Sequence, residues 1–302
     1  MHAIVCFTCA LILVSWGAIH GGTPKTDASR CQPVDGAEAL WSRADLRFIN
    51  VGEAHGTNEV PAIFADLVCA ARSTGRPIIV GLELQELPVG YFDAPTRKIA
   101  EQTILKTLDW RTSLDGRTSR AMLAMMSELR DLKRKGIVKQ IVPISVSRMV
   151  NIDSSSQDSM MKGAAAGEKA MAQVLLEAAA VTKEALVITL TGNLHAAKRR
   201  GEPGMIPYDS MGTYLPPERT IALDIDHHGG KTWGCQLKSG KAKCGVMRWN
   251  STHKNSRGVI LGVKADRGPE FDGILSIGTP VTPSRPAPTV PNVHSSKPRG
   301  ST

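Results

Sequence analysis

Short apolar runs alternate along the chain with longer segments in which apolar residues recur every three or four positions. The runs predict strands, and the longer segments predict helices that bury one face. Strands alternating with helices are typical of an α/β fold with a mostly parallel sheet flanked by helices. The predicted strands cover residues 46–51, 78–84, 138–146, 186–191, 220–226 and 271–277.

The helical segments differ in how clearly they are patterned. The clearest helix spans 119–135, where five apolar residues share one face: Met122, Met125, Met126, Leu129 and Leu132. Other helices are predicted from Pro61 to Gly75, over 96–108 and over 164–181, and residues 154–163 are predicted to form a surface loop. Pro143 within the third strand predicts a sheet edge or a bulge, because proline cannot donate to the ladder.

Both ends of the chain depart from globular composition. Residues 3–17 are almost wholly apolar yet too short to cross a bilayer, which predicts a secretory signal over residues 1–22. Residues 279–302 are rich in Pro, Ser, Thr and Lys and predict a disordered tail. A single α/β domain over 23–278 remains, with no transmembrane anchor after leader cleavage. The expected location is therefore periplasmic or secreted.

Four cysteines follow the leader, and an even number in an exported protein favours disulfides. Cys235 and Cys244 flank a segment with Ser-Gly at its centre, which predicts a small disulfide-closed β-hairpin near the C-terminus. Cys31 is then left to pair with Cys69. Unpaired buried thiols are the alternative if the leader is retained in a reducing compartment.

The formal net charge of +9 would suit an anionic partner, but the basic residues are scattered along the chain. Aromatic residues make up only 4% of the sequence, so the stacking surfaces that bind single strands are missing. We therefore expect no nucleic-acid partner. Anionic lipids or polysaccharides of a cell envelope are an alternative for the basic surface.

Polar side chains follow the predicted strands where each strand ends. Glu53 and His55 follow the first strand and project from one side of it, with Glu59 in the first turn of the next helix. Glu83 closes the second strand, Arg148 follows the third, and Asn193 and His195 follow the fourth. The carboxyl ends of parallel strands share one edge of the sheet, so these groups are expected to meet in one cleft. A solvated polar turn is the alternative for the first motif.

Four of these segments resemble a known superfamily. They are Gly52-Glu-Ala-His-Gly-Thr-Asn-Glu59, Gly81-Leu-Glu-Leu84, Gly192-Asn-Leu-His-Ala196 and Phe271-Asp-Gly-Ile-Leu275. In these four segments the chain resembles the superfamily of erythromycin esterases, ChaN-like haem-binding lipoproteins and Tiki-type proteases. The resemblance implies an α/β fold whose functional positions are Glu53, His55, Glu83 and His195. The chain differs from members of these groups in having no C-terminal hydrophobic helix and no lipobox cysteine.

The leading expectation is a hydrolase that activates water against an ester or amide bond of a small molecule or peptide. His55, oriented by Glu53 or Glu83, would be the general base, and Glu59 is counted with this catalytic group. His195 would be the acid partner or stabilise an oxyanion, with Arg148 or Asn193 contacting the substrate.

Two other uses of the same residues remain open at this stage. In the first, Glu53, His55, Glu83 and His195 hold a divalent metal such as zinc or manganese, as the resemblance to the Tiki-type proteases implies. In the second, which the ChaN-like proteins imply, the cleft binds haem or another ligand without turnover. The axial ligand would then be His55, His195, Tyr208 or Tyr214.

Overall fold

The computed structural model describes residues 31–145, 156–202, 206–238, 241–263 and 270–288. All of them belong to one compact unit. The expected signal segment lies outside the described residues. None of the described helices combines the length and apolarity that a membrane span requires.

A seven-stranded, mostly parallel sheet forms the centre of the molecule, which confirms the predicted α/β class. Its strands are β1 (Phe48–Glu53), β2 (Ile78–Leu82), β3 (Val138–Pro143), β4 (Leu186–Gly192), β5 (Thr220–Asp226), β8 (Gly258–Leu261) and β9 (Gly273–Ser276). The strand order in the sheet is β3-β2-β4-β1-β5-β9-β8, and only β8 runs antiparallel to its neighbour, β9. The strand β3 that contains Pro143 lies at the sheet edge, as its proline predicts.

Helices cover both faces of the sheet, so its central strands are buried on both sides. Every residue of β1 and of β5 is buried. Ile49 packs in one cluster with Phe64 and Met125, whereas Phe48 packs on the opposite face with Met171 and Leu175. A strand buried on both faces has a continuous apolar sequence, which is why these strands are visible as apolar runs.

The helices are α1 (Glu38–Trp41), α2 (Glu59–Ala70), α3 (Arg97–Ile104), α4 (Leu108–Thr112), α5 (Arg120–Arg134), α6 (Gln157–Val181) and α7 (Asn193–Ala196). Ser119 caps α5, because its hydroxyl oxygen accepts a hydrogen bond from the Met122 backbone at 3.3 Å. Ser156 caps α6 in the same way through Ser159. The predicted surface loop over 154–163 is therefore wrong from Gln157 onward, since the helix begins seven residues earlier than its alanine-rich part.

A separate two-stranded hairpin consists of β6 (Gly230–Lys238) and β7 (Lys241–Trp249). Cys235 lies directly opposite Cys244 and the two form a disulfide, as predicted. A second disulfide joins Cys31 to Cys69 on α2. Two sheet strands follow the hairpin, so it precedes the C-terminal part of the fold rather than ending it.

Residues 279–288 pack against the domain, although the composition predicts disorder from Thr279. Val281 is buried and its backbone N–H donates to the Gly229 carbonyl at 2.8 Å. The Ser284 N–H donates to the Gly56 carbonyl at 2.8 Å. A proline-rich segment has few backbone donors, and here those of Val281 and Ser284 pair with carbonyls of loops beside the sheet. The rest of the predicted tail, 289–302, lies outside the described residues.

Candidate active site

The first pair of site residues comes from the end of β1. Glu53 is its last residue and is buried, with 2% of its side chain exposed. The Nδ1 atom of His55 lies 3.0 Å from Glu53 Oε1, so the carboxylate fixes the orientation of the ring. The paired side chains are two positions apart, as the alternation of an extended chain predicts.

Glu83, just after β2, stands at the centre of the site. One oxygen, Oε2, accepts a hydrogen bond from the Gly192 backbone N–H at 2.7 Å and lies 3.5 Å from His55 Nε2. The other, Oε1, accepts from the Arg117 guanidinium at 3.2 Å and lies 3.8 Å from His195 Nε2. One carboxylate therefore faces both imidazoles.

His195 lies on the short helix α7, directly after β4. Its Nδ1 atom is 2.7 Å from Glu168 Oε1. Glu168 is buried on α6, and its Oε2 atom accepts the backbone N–H of Met211 at 2.8 Å. The two oxygens of Glu168 are thus occupied, and the imidazole of His195 is oriented with Nε2 toward Glu83.

Gly192 leaves open the space between the two imidazoles. A Cβ atom at this position would lie 3.4 Å from Glu83 Oε2, 3.5 Å from His55 Nε2 and 3.5 Å from His195 Cδ2. The two histidines, far apart in the sequence, therefore border one small volume at the carboxyl end of β4.

Electrostatics set the charges of these groups. Burial lowers the pKa of His55, but the charges of Glu83 and Glu53 outweigh it and raise that pKa to about 10. Burial also lowers the pKa of His195, yet the hydrogen bond to Glu168 and the charge of Glu83 leave that pKa above its usual value. Burial raises the pKa of Glu83, and the charges of His55, His195 and Arg117 bring that pKa well below its ordinary range.

Glu53, His55 and His195 border a cleft of about 410 Å³, a size typical of small-molecule sites. Its described lining comes from five regions: the end of β1, the loop before α5, the end of β4, α7 and the hairpin. The lining residues are Glu53, Ala54, His55, Asp115, Gly116, Gly192, Asn193, Leu194, His195, Trp233, Gly234, Cys235 and Met247.

The remaining site predictions have different outcomes in the structure. Asn193 lines the cleft beside His195. Glu59 does not join the cluster, because its carboxylate accepts hydrogen bonds from the backbone and hydroxyl of Thr282. Arg148 lies outside the described residues.

Two residues that contact this cluster were not predicted from the sequence. Arg117 lies in the 3-10 helix Gly116–Thr118, where no periodic pattern marks it. Glu168 could have been recognised from its position in the sequence, because it shares the buried face of α6 with Met171, Ala172 and Leu175. A glutamate on an apolar helical stripe needs a buried partner, and here that partner is His195.

The donor arrangement does not fit a metal site. Both nitrogens of His55 already lie beside carboxylates, Nδ1 at 3.0 Å from Glu53 and Nε2 at 3.5 Å from Glu83. Over the described ranges, no group of three or more His, Cys, Asp or Glu residues is arranged to hold a metal ion. A haem pocket is not matched either: Trp233 is the one aromatic residue in the described lining, and both imidazoles are paired with carboxylates.

Comparison with known proteins supports the fold. No family model and no curated protein sequence matches the chain. Among solved structures, an erythromycin esterase mutant, EreC, in its open conformation aligns over 82% of this chain and 94% of its own, at 12% identity and a TM-score of 0.52. This chain shares the fold of that esterase. At such low identity the likeness concerns the fold alone, and at that level it confirms the resemblance drawn from the sequence motifs.

Other solved structures are similar over comparable lengths. A succinoglycan biosynthesis protein covers 85% of this chain and 93% of its own, at 12% identity and a TM-score of 0.49. The type III effector HopBA1 covers 83% of this chain and 98% of its own, at 14% identity and a TM-score of 0.44.

Proposed function

We propose that the protein is a hydrolase that activates water against an ester or amide bond in the cleft between His55 and His195. The observation that carries this proposal is that both imidazoles face the carboxylate of Glu83 and border the same space beside Gly192. Each imidazole also has a carboxylate of its own, Glu53 for one and Glu168 for the other. General acid–base catalysis requires a proton acceptor and a proton donor positioned beside the substrate, and two oriented imidazoles beside one open volume can supply both.

His195 is the proposed general base. Its Nδ1 atom is bonded to Glu168, which fixes the tautomer and makes Nε2 the proton-accepting nitrogen. The Nε2 atom lies 3.8 Å from Glu83 Oε1, beyond hydrogen-bond distance, so a water molecule fits the role of its hydrogen-bond partner. This assignment reverses the expectation from the sequence, in which His55 is the base.

His55 is the proposed acid. It faces a carboxylate at each ring nitrogen, and its pKa of about 10 keeps it protonated at neutral pH. An imidazolium can stabilise the negative charge that develops on a carbonyl oxygen and then supply a proton. The side-chain amide of Asn193 is a second donor at this cleft, since its Nδ2 atom has no hydrogen-bond partner among the residues that the structure describes.

The proposed reaction needs no covalent intermediate. The oxygen of water bonds to the carbonyl carbon while its proton passes to His195 Nε2. The tetrahedral intermediate then breaks its bond to the leaving oxygen or nitrogen, which takes the proton of His55. Proton exchange with solvent restores both rings. In the described lining there is no serine, threonine or free thiol to act as a nucleophile, because Cys235 is in a disulfide.

We further propose that the protein works outside the reducing cytoplasm. Its two disulfides support this location, since such bonds persist in oxidising compartments. N-terminal sequencing of the protein recovered from periplasm and medium tests the proposal. A mature N-terminus near residue 22 supports export, and an intact Met1 in a cytoplasmic fraction contradicts it.

The hydrolase proposal is tested with purified protein and chromogenic p-nitrophenyl acetate and butyrate. We expect turnover that falls about 10²- to 10⁴-fold in His195→Asn, the loss typical of a missing general base. Glu168→Gln should lower turnover in the same direction. The matched control is Glu177→Gln on the exposed side of the same helix, which should retain activity. Absence of turnover in the native protein, or full activity in His195→Asn, would contradict the proposal.

A further inference from the structure

One part of the cleft lining, called here the apolar wall, consists of apolar side chains, whereas Glu53, His55, Asp115 and His195 are ionisable. The apolar wall comprises Leu194, Trp233 and Met247. Leu194 remains 49% exposed although it lies between Asn193 and His195. Water around such a side chain is released when an apolar ligand covers it, which favours binding of an apolar group.

Exposed apolar side chains gather around this wall. Nine large hydrophobic residues are exposed over the described ranges; one of them, Leu194, lines the cleft, and two others, Val246 and Leu114, adjoin Trp233 of its lining. Leu194 lines it, Val246 pairs across the hairpin with Trp233, and the Leu114 carbonyl accepts the Trp233 indole N–H at 2.9 Å. These residues come from α7, the hairpin and the loop before α5, so folding has brought them together.

The hairpin is fixed firmly enough to form a defined surface. The Trp233 backbone N–H donates to the Gly56 carbonyl at 2.9 Å, and the Thr232 hydroxyl donates to the His55 carbonyl at 2.9 Å. The disulfide between Cys235 and Cys244 closes the same part of the hairpin. The apolar wall is therefore attached to the backbone of a catalytic residue.

We infer that Leu194, Trp233 and Met247 form a subsite for an apolar acyl or alkyl group of the substrate. The inference rests on the proposed hydrolase function and specifies its substrate class: neutral esters or amides with an aliphatic portion next to the scissile bond. The scissile carbonyl would face the two imidazoles while the aliphatic portion packs on the wall. A well-fitted methylene contributes about a fourfold gain in affinity or rate, the equivalent of its hydrophobic transfer energy.

The test is a series of p-nitrophenyl esters from acetate to octanoate. For the native protein, kcat/KM should rise about 3- to 4-fold per methylene over the first additions. Leu194→Asn and Met247→Gln should flatten this slope. The matched control is Val181→Asn, which changes a residue that is 84% exposed at the end of α6. This variant should show the same rise of kcat/KM with chain length as the native protein.

The outcomes separate the two proposals. Hydrolysis of the acetate ester that depends on His195, with no gain for longer chains, would overturn the subsite and leave the hydrolase intact. If the native protein hydrolyses no ester, calorimetry with acetamide and octanamide decides: tighter octanamide binding that is lost in Met247→Gln supports the subsite, and equal or absent binding overturns it.

Discussion

His55 and His195 direct their Nε2 atoms toward different oxygens of one carboxylate, that of Glu83, at 3.5 and 3.8 Å. His55 has a second carboxylate within hydrogen-bond distance of its Nδ1 atom, as does His195. Because the carboxylate of Glu83 lies closer to His55, His55 holds its proton more tightly. In the proposed reaction these two similar side chains therefore take opposite roles, one as acid and one as base.

Activity should depend on pH with two limbs. As pH rises, kcat/KM should increase when His195 loses its proton, with a midpoint above pH 6.5 because its pKa is raised. At higher pH it should fall as His55 loses its proton near pH 10. Initial rates across pH 5 to 11 with an amide or other alkali-stable substrate measure both limbs. A profile that declines already below pH 8 would contradict the role of His55 as acid.

Glu53→Gln should move the upper limb to lower pH. The substitution removes one of the two negative charges that raise the pKa of His55, so the ring gives up its proton more easily. The control is Asp158→Asn, an exposed carboxylate on α6 paired with Lys162. An upper limb at the same pH in Glu53→Gln and in the control would refute the assignment.

Gly192→Ala should lower kcat/KM by about 10- to 100-fold, because a methyl group would occupy the volume shared by Glu83, His55 and His195. The fold should be unaffected, since Gly192 has φ −54° and ψ 141°, which alanine adopts freely. Gly245→Ala is the control, with open space around the new methyl group. Equal activity in the two variants would show that the volume at Gly192 is not used.

Stability should decline as the solution becomes alkaline. The pKa of His55 is about 10 in the folded protein against 6.5 for the free side chain, so the folded state binds the extra proton. Its contribution to the free energy of unfolding is complete below pH 6.5 and is lost as pH rises through 10. Urea denaturation at pH 6.5, 8 and 10 measures this decline, and His55→Gln should make it shallower. The same steepness in the variant would argue against the raised pKa.

Gly56→Ala should destabilise the protein by about 3 kcal/mol or more. Gly56 has φ +96°, and its Cβ would lie 1.9 Å from the Trp233 carbonyl oxygen, so the hairpin would have to move. Gly75→Ala shares the positive φ, at +66°, but meets no atom within 4 Å and should cost only about 1–2 kcal/mol. Equal losses of unfolding free energy would indicate that hairpin contact with Gly56 contributes nothing.

Much of the fold follows from apolar periodicity. The strand Thr220–Asp226 matches its prediction at both ends because it is buried on both faces and has a continuous apolar sequence up to its polar end. The strand Gly258–Leu261 was missed, since four residues at a sheet edge give too short a pattern. Residues after Thr279 pack through backbone hydrogen bonds, which composition does not reveal.

The sequence predicts the site residues that follow strand ends, but it does not predict those that reach the site from a helix or a loop. Glu53, His55, Glu83 and His195 meet because parallel strands end at one edge of the sheet. Glu168 reaches the site from the face of a helix, and Arg117 from a loop, so no strand-end rule includes them. The division of roles between the histidines depends on distances to carboxylates, which only three-dimensional structure provides.

The division of roles between the two imidazoles is tested most directly by ¹⁵N NMR of histidine-labelled protein, with His55→Gln and His195→Asn to assign the signals. We predict that His55 stays protonated on both nitrogens until about pH 10, while His195 titrates at lower pH and becomes neutral with its proton on Nδ1. A neutral His55 at pH 7, or a His195 that keeps both protons beyond His55, would contradict the account.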